Sequence, residues 1–256
     1  MNAPLLFITG ASSGIGQALA ARYARAGWRL ALVARRTGDL QAWVTAQGLT
    51  ASARVYGADV AEVETIIAAG RACMAGQGLP DVVIACAGIS VGMDSAERSD
   101  LGVMRDTFAT NNIGLAATFQ PFLRAMRQRG SGTLVGVASV AAIRGLPGHG
   151  AYCASKAAVV AYCESLRVEC QRQGVRVVTL LPGYIATPLT EKNPYSMPFL
   201  MRADDFAERA FRAIAAGHSY RVIPWQMGVL AKLLRVLPNV AYDRLMARRS
   251  HKPRRT

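Results

Sequence analysis

The sequence has no cysteine pair spaced Cys-x-x-Cys, only three histidines, and no apolar run long and charge-free enough to span a bilayer. Its cysteines (Cys73, Cys86, Cys153, Cys163 and Cys170) are odd in number and mostly have apolar neighbours. In such settings a thiol behaves as a small hydrophobe. They read as reduced core thiols of a cytoplasmic protein rather than a disulfide framework. His149, His218 and His251 lie far from any cysteine cluster, so no metal site is expected. The segment before the first motif, Met1 to Ile8, lacks a basic n-region and a cleavage site, which argues against a secretory signal. Internal repeats, low-complexity tracts and interdomain linkers are also missing.

Acidic residues are scarce, 16 against 30 lysines and arginines, giving a net charge of +14. From Arg221 onward nine basic residues (Arg221, Lys232, Arg235, Arg244, Arg248, Arg249, Lys252, Arg254 and Arg255) face the single acid Asp243, so +8 of the +14 falls in the last 36 residues. Such an end meets anionic lipid or nucleic acid, or stays solvated. Its basic groups alternate with bulky aliphatics rather than stacking aromatics, so nucleic acid is not an expected partner.

What is present fits one large α/β domain: 256 residues, about half of them hydrophobic. Apolar, β-branched runs predict strands at 5–9, 29–34, 53–57, 82–85, 132–138, 175–181 and 220–223. Amphipathic patterns predict helices at 15–26, 39–47, 61–75, 101–128, 151–173 and 203–216. Alternating βα order with near-continuous apolar strands implies a parallel, about seven-stranded sheet covered on both faces. In such a doubly wound fold, ligands sit at the carboxyl ends of the strands. Residues 187–202, interrupted by Pro188, Pro194 and Pro198, read as a long mobile segment of the kind that covers a site. The expected organisation is a catalytic domain over residues 1–223 and a basic, apolar helical extension over 224–256.

The first strand runs into Thr9-Gly10-Ala11-Ser12-Ser13-Gly14-Ile15-Gly16. Glycines let backbone approach a pyrophosphate closely, and the following helix offers unpaired N–H groups and a partial positive charge. The spacing is Gly-x-x-x-Gly-x-Gly rather than the more common Gly-x-Gly-x-x-Gly. In this motif the sequence resembles the short-chain dehydrogenases/reductases, whose single-domain members have about this length. The resemblance implies a Rossmann-type fold and a nicotinamide cofactor.

The second strand ends Ala34-Arg35-Arg36. An acid usually stands there in proteins that hold the ribose 2′-OH of NAD; an arginine instead pairs with a 2′-phosphate through charge-assisted hydrogen bonds. This predicts NADP(H), with Arg35 as the first reader and Arg36 either a second reader or a solvated helix-start charge. The resemblance places Asp59 and Val60 at the adenine, although Asp59 equally suits a cap for the helix at Ala61. Ala87 and Gly88 would pack against the cofactor. Ala85-Cys86 stands where many relatives have two asparagines, which removes side-chain hydrogen bonds there.

Tyr152 and Lys156 lie four residues apart, on one face of a helix. A nearby cation favours phenolate, so Tyr152 is expected to work as an acid or base near neutral pH. Ser139, thirteen residues earlier at a strand end, completes the family's pattern. The implied roles are Ser139 as substrate polariser, Tyr152 as proton donor, and Lys156 as holder of the nicotinamide ribose and tuner of Tyr152. Asn111, selected by the pattern Asn-x-x-Gly ending at Gly114, would kink its helix and bind a water linking Lys156 to solvent, or would only satisfy backbone groups. Pro182, Gly183, Ile185 and Thr187 would lie against the nicotinamide.

These motifs point to an enzyme that transfers hydride between NADP(H) and a carbonyl/alcohol pair, in the direction of reducing a hydrophobic ketone or aldehyde. The rival reading is a non-catalytic NADP(H)-binding protein whose tail recruits a membrane or a partner. Residues 224–238 read as an apolar helix with a stripe of Trp225, Val229, Leu230, Leu233, Leu234 and Leu237 flanked by basic residues. A stripe of this kind suits contact with an anionic membrane surface, a lid over the substrate cleft, or a subunit contact in a homodimer or homotetramer.

Overall fold

The computed structural model describes residues 3–191, 193–247 and 252–254. In chain order the elements are β1 (Leu5–Thr9), α1 (Gly14–Arg25), β2 (Arg29–Ala34), α2 (Thr37–Ala46), β3 (Ala53–Gly57), α3 (Val63–Gln77), β4 (Val82–Ala85), α4 (Asp100–Phe108), α5 (Gly114–Arg129), β5 (Gly132–Val137), α6 (Gly150–Cys170), β6 (Val175–Pro182), β7 (Ile185–Ala186), α7 (Pro188–Glu191), β8 (Met201–Arg202), α8 (Ala203–Ala215), β9 (Tyr220–Ile223), α9 (Trp225–Val236) and α10 (Asn239–Met246).

Among the described residues the main sheet has seven strands in the order β3-β2-β1-β4-β5-β6-β9, with every pairing parallel. This is a Rossmann-type sheet. The unbroken apolar run of β1 has a direct cause in the pleat: successive side chains point to opposite faces. Leu5 and Phe7 enter the core on one face with Ile66, Phe119, Phe122 and Cys163. Leu6 and Ile8 enter the other with Leu19, Leu40, Val44 and Phe206. Both cores are closed to solvent, so a central strand such as β1 needs apolar residues at nearly every position. Strand order reverses between β1 and β4, and the crevice beyond their carboxyl ends is where such sheets bind ligands.

The helix expected over 101–128 is interrupted. Between α4 and α5, residues Ala109–Ile113 form a wider π-type turn, a local distortion frequent at functional sites. Residues 187–202 are also more ordered than a plain loop: they include α7 and the small strand β8, which pairs with β7. The extension folds back on the body. Arg144, in the loop after β5, donates to the Leu237 carbonyl at 2.8 Å, to the Leu234 carbonyl, and to Asn239 Oδ1 at 3.0 Å. Its guanidinium lies over the Tyr242 ring, 3.7 Å from the centroid. One side chain thereby donates to the dangling carbonyls at the end of α9, which a helix C-terminus otherwise leaves to solvent. No described helix is long and apolar enough to cross a membrane. Of the tail residues named above, Arg248, Arg249, His251 and Arg255 lie outside the described residues.

Candidate active site

Two cavities meet at the carboxyl end of the sheet. The first, about 450 Å³, is lined by Gly10, Ser12, Ser13, Gly14, Ile15, Gly16, Arg35, Arg36, Asp59, Val60, Ala87, Gly88, Ser139, Tyr152, Lys156, Pro182, Gly183, Ile185 and Thr187. All the cofactor-facing residues expected from the sequence are therefore drawn into one cleft. Asn111 stands just behind it.

The turn after β1 is fixed by contact distances. A Cβ on Gly16 would lie 2.1 Å from the Gly10 carbonyl oxygen, and one on Gly10 would lie 2.9 Å from Ala87. Neither backbone could move aside cheaply. Thr9 joins the ends of β1 and β4, its Oγ1 accepting from the N–H groups of Cys86 at 3.1 Å and Ala87 at 3.3 Å. The sequence reading gave Thr9 no role, although it opens the glycine motif. The result is a shallow cradle of backbone at the start of α1, of a shape and polarity that fit a pyrophosphate.

The two arginines after β2 differ. Arg36 is held by Asp39 at 2.9 Å, an i,i+3 pair at the start of α2. Arg35 reaches across the cleft mouth to Asp59, at the longer distance of 3.4 Å. Asp59 does accept from the Ala61 N–H at 3.1 Å. The helix itself begins two residues later, at Val63, so the contact shapes the approach to α3 rather than capping its first turn.

Asn111 is buried and sits in the π-type turn. Its side chain does not turn into its own helix. Its Oδ1 accepts from the Ile89 N–H at 2.9 Å, and its Nδ2 donates to the Ile89 carbonyl at 3.0 Å and to Ser155 Oγ at 2.9 Å. It therefore ties the loop after β4 to α6, the helix carrying Tyr152 and Lys156.

Lys156 is buried and donates to the Val137 carbonyl at 2.8 Å. Burial without a carboxylate partner brings its ammonium down to about 8. Tyr152 corrects the sequence-based expectation of a lowered pKa. Burial pushes its phenol up to about 12, and a hydrogen bond with Ser139 pulls only weakly the other way. Without a bound ligand, Tyr152 at neutral pH is a protonated donor and not a base.

The second cavity, about 170 Å³, opens from the first. Ser139, Tyr152, Gly183, Leu189 and Thr190 line both. The remaining wall is largely apolar: Val140, Ala141, Ile143, Leu146, Tyr184, Pro198 and, from the C-terminal extension, Met227, Leu230, Ala231 and Leu234. The contribution of α9 was one of three uses left open for its apolar stripe. The helix divides that stripe. Leu230 and Leu234 turn inward to the chamber, whereas Trp225, Val229 and Leu233 stay exposed.

The comparisons agree with this fold. The family model for short chain dehydrogenases matches residues 5–197. An uncharacterized oxidoreductase of Myxococcus xanthus is 40% identical over 237 residues, covering 92% of this chain and 93% of the relative. Among solved structures, a short-chain dehydrogenase from Streptomyces avermitilis superposes with a TM-score of 0.83 at 26% identity, covering 96% of this chain and 98% of that one. An alcohol dehydrogenase from the archaeon Thermococcus sibiricus, complexed with 5-hydroxy-NADP, gives 0.78 at 26% identity, covering 87% and 96%. The chain belongs to the short-chain dehydrogenase/reductase family. It is an oxidoreductase of that family.

Proposed function

We propose that the protein reduces the carbonyl of a small hydrophobic ketone or aldehyde with NADPH, Tyr152 supplying the proton. The observation that carries this reading is the position of Ser139 and Tyr152 on the shared wall of the two cavities. One cavity fits a dinucleotide, the other an apolar molecule, and a protonated phenol stands between them.

The residues fit the cofactor as follows. The backbone from Gly10 to Gly16 would hold the pyrophosphate, Arg35 and Arg36 the 2′-phosphate, Asp59 and Val60 the adenine, and Ala87 and Gly88 the adjoining backbone contact. Tyr152 and Lys156 would hold the nicotinamide ribose, and Pro182, Gly183, Ile185 and Thr187 the nicotinamide. When bound, NADPH supplies a hydride from C4 of its nicotinamide ring. Ser139 hydrogen-bonds the substrate oxygen and draws electron density from the carbonyl carbon. Tyr152 gives its hydroxyl proton to that oxygen as the alcohol forms. Lys156 contributes positive charge beside the phenolate left behind. Asn111 acts through position, keeping α6 and the loop after β4 in register. The apolar chamber wall excludes water and selects a hydrophobic substrate.

The exposed row of Trp225, Val229 and Leu233, with the exposed basic Lys232 and Arg235 on the same helix, supports peripheral contact with an anionic membrane surface at the cytoplasmic face. The family's common assembly as a homodimer or homotetramer is the competing use of that row.

The function is tested with NADPH consumption over a panel of hydrophobic ketones and aldehydes. Wild type turns over at least one. Tyr152→Phe keeps NADPH affinity within a few fold and loses more than about nine-tenths of the rate. A variant that retains more removes Tyr152 from the acid role.

A further inference from the structure

The last described residues of the chain form a strap across the substrate chamber. Gly92, in the loop after β4, pairs in parallel with Arg254, and its N–H donates to the Pro253 carbonyl at 3.1 Å. A Cβ on Gly92 would stand 2.1 Å from the Lys252 carbonyl oxygen, so the strap lies directly on that backbone. Arg254 anchors its end through a two-pronged contact with Asp100, 2.8 Å to Oδ2 and 3.2 Å to Oδ1. Asp100 is itself buried and also accepts from the Asp94 N–H at 2.7 Å. The Arg254 hydrogen bond, first among several influences, holds the Asp100 carboxyl below the usual carboxylate range.

The anchored strap places Lys252 in the wall of the substrate chamber, together with Ser139 and Tyr152. Its Nζ donates to Ser90 Oγ at 3.0 Å and reaches the Leu189 carbonyl at 3.5 Å. Among the described residues no carboxylate lies within ion-pair distance of it. The other strong base of the chamber, Arg144, is taken up by the carbonyls at the end of α9 and by Asn239. Lys252 is thus a half-buried ammonium with neutral partners in a largely apolar pocket whose other polar lining includes Arg144, His149 and Asn193. Burial pulls its pKa below the ordinary lysine range, the mark of a cation without a counter-charge.

We infer that Lys252 is a specificity residue that receives an anionic group, a carboxylate, on the substrate. The inference rests on the reading of this chamber as the substrate site, and it narrows the substrate class from any apolar carbonyl compound to an apolar oxo acid. A carboxylate arriving at Lys252 supplies the missing counter-charge in a site shielded from water, where a charge-assisted hydrogen bond is strong. A neutral group of the same shape would leave the ammonium as it is.

The test is binding to the full-length protein saturated with NADP+, measured by calorimetry, with octanoate and octanamide as the probes. Wild type is expected to bind octanoate at least about tenfold more tightly than octanamide. Lys252→Met is expected to bring the two affinities together, and Lys252→Arg to keep most of the preference. Asp100→Asn, which loosens the strap without touching the ligand, is expected to lower the preference several fold. The inference is overturned by no octanoate binding, by equal affinities in wild type, or by a preference that survives in Lys252→Met. None of these readings involves turnover. A protein that reduces neutral ketones through Tyr152 but shows no octanoate preference loses only the assignment of Lys252.

Discussion

Lys156 Nζ lies 5.8 Å from the centre of the Tyr152 ring and gives its hydrogen bond to the Val137 carbonyl instead of the phenol. The two groups share one buried pocket, and burial moves their pKa values apart by favouring the neutral form of each: it keeps the phenol protonated, at about 12, and makes the ammonium easier to discharge, at about 8. At pH 7 the site therefore holds a proton on the phenol and a charge on the amine, the two states that carbonyl reduction needs.

The Lys156 value has a consequence for stability. Its pKa falls from 10.5 in the unfolded chain to about 8 in the folded one, so between those values the unfolded chain binds the additional proton. Stability from this group rises as pH increases from about 8 toward 10.5. Wild type should gain about 2 kcal/mol relative to Lys156→Met between pH 7 and 9.5. Denaturant unfolding of both proteins across that range checks it. The buried cysteines and tyrosines contribute equally to both and cancel. A constant difference would mean that Lys156 is not desolvated.

NADPH should raise the melting temperature more than NADH at equal concentration. The two arginines behind that preference are unequal, because Arg36 is already held by Asp39 and Arg35 is held only at 3.4 Å by Asp59. Arg35→Ala should weaken NADPH binding about tenfold or more, and Arg36→Ala only a few fold. NADH affinity should stay unchanged in both. Equal stabilisation by the two cofactors in wild type would show that neither arginine reads the phosphate.

Arg144→Ala should release the C-terminal helices without unfolding the sheet. The side chain satisfies several carbonyls of α9 and stacks on Tyr242, interactions that together contribute about 2–4 kcal/mol. Hydrogen exchange should accelerate in α9 and α10 and stay unchanged in β1 and β4. Substrate KM should rise, since the chamber loses a wall. Uniform acceleration over the whole chain would instead place Arg144 in the global core.

The exposed row on α9 should bind vesicles containing anionic lipid at low salt and release them as salt increases, each basic residue near the surface contributing about 1 kcal/mol. Trp225→Ser with Leu233→Ser should abolish that binding and leave the chamber intact, because the chamber is lined by the opposite face. Binding that is equal on neutral vesicles, or absent on both, would assign the row to a contact between subunits, which sedimentation of the double variant would reveal as a change in mass.

The sheet was legible in the sequence because its central strands are apolar at nearly every position, a pattern that burial on two faces requires. The cleft was legible because the glycine turn, Ser139 and the Tyr152–Lys156 spacing each reflect a local constraint readable within a few residues. The rest depends on contacts between distant parts of the chain. Nothing near Asn111 in sequence signals that it ties Ile89 to Ser155. Arg144 looks like any loop arginine until α9 arrives, 90 residues later, with its carbonyls. Lys252 and Arg254 counted as two charges of a basic tail, and only the partner Asp100, 154 residues away from Arg254, shows that the tail turns inward. The raised pKa of Tyr152 likewise follows from burial, which residue spacing does not encode.

The inward face of α9 and the strap that follows it divide the molecule by order of synthesis. Every residue proposed to hold the dinucleotide is synthesised by the time the chain reaches Thr187, whereas a wall of the substrate chamber comes later, from α9 and Lys252. Substitutions in α9 or at Lys252 can therefore change what the enzyme accepts while the sheet and the reaction stay as they are. Within this architecture, α9 and residues 252–254 are the places where a new substrate preference costs the least in folding.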